Sequence, residues 1–272
     1  MKYLKGMAAV AATVGAMLVA AMSASAATAP GYEEFGGCPD KSVNPAFGLC
    51  IQSVVDGGHL QLGNTNTPIV DPISITGSLT QTTPQQFVVG EFDGGRQPVP
   101  GGLVGISGLN WLVNLFPANL LKVYAEAELA GAPSRPDAPP VRLPLKVHLD
   151  NPLLSDSCYI GSDADPLLLN LITGTTNPPP PNQPISGHPA TAFGIDPNLP
   201  GVLRIRDILL VDNAFAAPAA RGCDLIPIGV IDALVNLQAG LPSPAGTNEA
   251  VQEADGSLVS LNTVYPPSGI EQ

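Results

Sequence analysis

The sequence predicts a mainly β protein, an antiparallel β-sandwich or barrel with one or two short helices. Apolar or alternating segments of four to nine residues recur along the chain, and Gly, Pro, Asn and Asp separate them, as expected for short strands joined by turns. Charged residues make up only 12% of the 272 residues and aromatics 5%, too few for long Glu- and Lys-rich helices. The 29 Gly and 30 Pro approach the level of a disordered chain, but 44% apolar residues and a mean hydropathy of +0.22 provide a core.

Residues 1–26 read as an export signal. Lys2 and Lys5 open it, Met7 to Met22 is an alanine-rich apolar run, and Ala24-Ser25-Ala26 offers the small residues at which such leaders are cleaved. Residues 27–272 are then expected to form a single secreted β-domain. No later run approaches the ~18 apolar residues of a membrane helix, so the expected location is extracellular or at the cell envelope. The net charge is −12, and losing Lys2 and Lys5 makes the mature chain more acidic still. Such a surface repels phosphate backbones and excludes nucleic acid as a natural partner.

Cys38, Cys50, Cys158 and Cys223 form an even set in an exported chain, which favours two structural disulfides. Three pairings are possible. Cys38 with Cys50 and Cys158 with Cys223 is the expected one, with closures contributing about 3 and 4 kcal/mol.

Ile73, Ile75, Gly77 and Leu79 alternate with Ser74, Thr76, Ser78 and Thr80, placing one row on a core and the other in water. Phe87 to Phe92 and Leu167 to Ile172 read as further strands. Leu203 and Ile205 alternate with Arg204 and Arg206 before the apolar run Ile208 to Val211, which suggests a bulge near Asp207. Two helices are predicted. Ser107 caps the first, with Leu109, Leu112, Val113 and Phe116 on one stripe and Pro117 as its stop; Trp111 is expected in packing. The second starts at Pro227, carries Ile228, Ile231, Leu234 and Val235, and ends at Gly240 and Pro242. The Pro-rich stretch 177–189, with four consecutive prolines at 178–181, is expected to cross the surface as a loop. The tail from Gly246 to Gln272 is weakly patterned, with an edge strand expected over Leu258 to Val264.

Chemistry concentrates on two segments, Leu121 to Gly131 and Leu143 to Pro152. Tyr124, Glu126 and Glu128 alternate with apolar residues in the first, and Lys146, His148 and Asp150 do so in the second. Paired antiparallel, they would set both polar rows on one sheet face. Glu126, Glu128 and His148 are the candidate catalytic residues, because neighbouring carboxylates beside a histidine can serve as general acid and base. Tyr124, Lys146 and Asp150 are the candidate binding residues. The same residue types also make ordinary cross-strand ion pairs. Asp156, Asp163 and Asp165 surround Cys158 in a loop that could suit calcium but lacks the twelve-residue EF-hand pattern. No metal or cofactor is expected. Gly-x-Ser-x-Gly, His-Glu-x-x-His and Gly-Lys-Thr loops are all missing.

The segments LKVYAEAELAG, LPLKVHLDNP, SCYIGSDADP (Ser157 to Pro166) and ITGTTNPPPPN (Ile172 to Asn182) resemble those of a group of secreted actinobacterial proteins of unassigned function. The likeness extends loosely over Gly37 to Gly246. The resemblance implies an exported setting and paired cysteines, and it brings no catalytic residues. The expected function is therefore non-catalytic: an extracellular or envelope-associated binding or structural role, with an envelope glycan, a lipid or a protein as partner. The alternative is an extracellular hydrolase acting through the carboxylate and histidine face, and a calcium-dependent adhesion module is a third possibility.

Overall fold

A computed structural model describes residues 27–102, 122–224 and 230–267. The leader, the helix expected over Ser107 to Phe116 and the start of the helix at Pro227 lie outside the described residues.

Among the described residues, thirteen strands form two antiparallel sheets that pack as a sandwich. The first sheet takes β1 (Phe47–Leu62), β2 (Thr65–Pro68), β3 (Ile73–Thr80), β4 (Phe87–Asp93), β10 (Ala192–Ile195), β11 (Leu203–Asp212) and β13 (Glu249–Ser260). Its order is β10-β11-β13-β1-β3-β4, with β2 paired to β1. The second sheet takes β5 (Arg96–Pro98), β6 (Tyr124–Leu129), β7 (Val141–Asp150), β8 (Tyr159–Ile160), β9 (Leu167–Leu171) and β12 (Ala220–Arg221). Its order is β12-β8-β7-β6-β5, with β9 paired to β7. Helix α1 (Val230–Ala239) and the short α2 (Leu261–Val264) complete the fold.

The main core lies between the sheets, where Val55, Leu62, Leu210 and Ala254 of the first meet Leu145, Val147, Leu149 and Leu169 of the second. Val235 of α1 is buried here, with Ile231 and Leu234 packed against the same core. Gly240 follows with φ +68°, the left-handed stop that glycine allows.

A second, smaller core forms on the opposite face of the first sheet. Phe35, Cys38, Val202, Val259, Val264 and Tyr265 gather there around Cys50, which points away from Val55 because side chains alternate along β1. This layer corrects the expectation for β3. Thr76, Ser78 and Thr80 are buried rather than wet, because the N-terminal residues lie over them, and the Ser78 hydroxyl donates to the Pro39 carbonyl at 2.6 Å.

The two disulfides join Cys38 to Cys50 and Cys158 to Cys223. The bulge expected near Asp207 is present: pairing with β13 shifts between Ile205 and Ile208, and Asp207 has φ +61°. The Pro-rich stretch crosses between isolated bridges Thr175–Ser186 and His188–Leu209. Asn182 pins it by donating to the carbonyls of Asn213 (3.0 Å) and Asn248 (2.7 Å).

The C-terminal tail differs from its expectation. Glu249–Ser260 is a twelve-residue strand in the middle of the first sheet, between β1 and β11, and residues 261–264 are helical. Its signal is weak because the inward row is Ala250, Gln252 and Ala254, which are small or polar and fit where the layers approach closely.

Candidate functional site

Strands β6 and β7 pair in the register that matches their polar rows: Tyr124 faces Asp150, Glu126 faces His148 and Glu128 faces Lys146. All six residues share the outer face of the second sheet. Two residues that sequence reasoning missed join them. Arg96 sits opposite Glu126 on β5, and Tyr159 sits opposite His148 on β8. Neither stood out in the sequence, since Arg96 belongs to a three-residue strand and Tyr159 to a two-residue one.

The face is a lattice of mutual contacts. Arg96 pairs with Asp150 and stacks its guanidinium 3.6 Å above the centre of the Tyr124 ring. Lys146 reaches Asp163 at 2.9 Å and Glu128 at 3.6 Å, and the Tyr159 hydroxyl donates to Glu128 at 3.0 Å. Asp163, with Glu128 behind it, holds the Lys146 ammonium above its ordinary range. Burial and then the Glu128 hydrogen bond push the Tyr159 phenol up. The His148 ring lies 4.8 Å from that of Tyr159, and its Nε2 is buried without a hydrogen-bond partner. Of the calcium candidates, Asp163 is thus committed to Lys146, while the backbone amide of Asp165 donates to the Ser162 hydroxyl at 3.1 Å. Among the described residues, no group of three or more His, Cys, Asp or Glu side chains is placed to hold a metal.

The opposite rows of the same strands build a different feature. Ala125, Ala127, Val147 and Leu149 point inward and form one wall of an apolar cleft between the sheets, with a volume of about 130 Å³. Leu60, Leu62 and Ile73 supply the facing wall, and Leu145, Ile160 and Leu169 form a buried floor. Thr65, Thr67, Pro100 and Gln238 are more exposed and mark the rim. Among the described residues, no charged side chain lines this space. The six residues singled out from the sequence lie outside it, because they occupy the outer row. An apolar alternating row reads as ordinary core in a sequence, so nothing there marked a cleft.

A second hollow lies on the outer face of the first sheet, where Asp56, Asp207, Glu253 and Asp255 meet His188 and Arg206. Register shifts on both flanks of β13 bring these groups together. Two of the carboxylates are engaged locally: Arg206 pairs with Asp255, whose other oxygen accepts the Asp207 amide at 3.0 Å, and the Thr191 hydroxyl donates to the Asp207 carboxylate.

No protein-family model, curated protein or solved structure matches this chain.

Proposed function

We propose that the protein is an exported, non-catalytic binding protein of the extracellular space or cell envelope that holds an apolar group between its sheets. The cleft carries this reading. A concave, predominantly apolar space with a few polar groups is the usual form of a small-molecule site, and an apolar cavity of ~150 Å³ suffices to take up benzene. The two disulfides and the absence of a membrane-length helix among the described residues are compatible with an exported chain. The hydrolytic reading receives less support, since Glu128 already serves Tyr159 and Lys146, and the Nε2 of His148 is buried.

Titration of the disulfide-bonded protein with benzene, followed by NMR shifts of the cleft methyl groups, tests the proposal. The expected result is saturable uptake that weakens about tenfold or more in Ala127→Leu, whose added methyl groups fill part of the cleft, while the melting temperature stays near that of the parent. Absence of saturable uptake by the parent protein refutes it.

A further inference from the structure

The cleft contains one feature that an ordinary packed core avoids. Gln252 lies on the inward row of β13 between Ala250 and Ala254, is only 8% exposed, and lines the cleft. Among the described residues, no hydrogen bond reaches its side-chain amide, which remains available to a group entering the cleft. The other buried amide on the lining, Gln97, is fully committed: its oxygen accepts from the amides of Val70 (2.8 Å) and Asp71 (3.0 Å), and its nitrogen donates to the Asp71 carbonyl. Gln97 therefore serves the fold, whereas Gln252 presents both a donor and an acceptor to the space between the sheets.

The charge pattern narrows the ligand further. The lining holds Thr65, Thr67, Gln238 and Gln252 as its remaining polar side chains, and none of them ionises. An ionised headgroup entering this space would lose its hydration and find no counter-ion, which is far costlier than burying a hydroxyl or carbonyl that meets an amide.

We infer that the cleft selects a neutral aliphatic ligand whose single hydroxyl, ester or amide group pairs with Gln252, and that it rejects fatty carboxylates and cationic amphiphiles of the same chain length. The inference rests on the cleft reading above and specifies its ligand class.

Competition against bound benzene, using the disulfide-bonded protein at pH 8, provides the test. The probes are pentanol, methyl butanoate, pentanoate and pentylammonium, all close to benzene in size. Pentanol and methyl butanoate are expected to displace benzene at concentrations about tenfold or more below those needed for either ion. Gln252→Leu, which preserves apolar packing, is expected to keep benzene uptake while weakening pentanol about tenfold. If the ions compete as well as pentanol, or if Gln252→Leu binds pentanol undiminished, the neutral-ligand inference falls and the cleft reading survives. If the parent protein takes up neither benzene nor any competitor, both fall together.

Discussion

The Tyr265 hydroxyl donates to the Cys38 carbonyl at 2.7 Å and lies 3.0 Å from that of Gly36, so one side chain near the C-terminus holds the segment that covers the first sheet. Burial, and secondarily the negative charge of Asp40, pushes its phenol above the ordinary tyrosine range. A raised folded-state pKa means that this contribution is complete below the unfolded value and is lost as pH climbs through the folded one. Tyr265→Phe is expected to cost about 1–2 kcal/mol at neutral pH. In urea titrations the parent should lose stability at pH values above the ordinary tyrosine range, and the variant should lose less over the same interval. Equal alkaline losses would assign the effect to other groups. Legibility at this scale follows periodicity. Glu126 opposite His148 was readable because two regular alternations of similar length can pair in few ways. Tyr265 and Gln252 were not, since one sits in a polar tail and the other interrupts a row of alanines, and only the packed partner reveals their use.

Among the elements, the two covalent bridges act on different layers. Cys38–Cys50, with a sequence separation of 12, fastens the N-terminal cover to β1, whereas Cys158–Cys223, with a separation of 65, ties the entry to β8 to the residues after β12. The longer closure restricts the unfolded chain more. Replacing Cys158 and Cys223 together by Ala should therefore lower unfolding free energy by about 4 kcal/mol, against about 3 kcal/mol for Cys38 and Cys50. Equilibrium urea unfolding of the two double variants checks the order, and the reverse order would show that the chain-entropy account misses what each bridge does in the folded state. Strands β3, β4, β9 and β11 were legible because β-branched and apolar residues alternate within clear turn boundaries. Strand β13 was not, because Ala250, Gln252 and Ala254 provide little hydrophobic contrast with their neighbours. The bulge at Asp207 could be anticipated from a change of period, from alternating Leu203 and Ile205 to the continuous run at Ile208 to Val211.

For the molecule as a whole, the sheet class and the presence of two disulfides were readable from turn spacing and cysteine count, while the cleft was not, because it exists only where rows from both sheets face one another. The Ala29 amide donates to the Val264 carbonyl at 2.7 Å, so the described chain engages its fold three residues beyond the expected cleavage point after Ala26. Intact-mass analysis of the exported protein should therefore give residues 27–272 with two disulfides, and a retained leader or free thiols would contradict the export proposal. The placement of β13 has a temporal consequence. Its twelve residues come after all the other strands in the chain, yet β1 and β11 both depend on them for a neighbour. A polypeptide emerging amino end first must leave that slot vacant until residues 249–260 follow, so β1 and β11 wait unbridged while everything between them is being made.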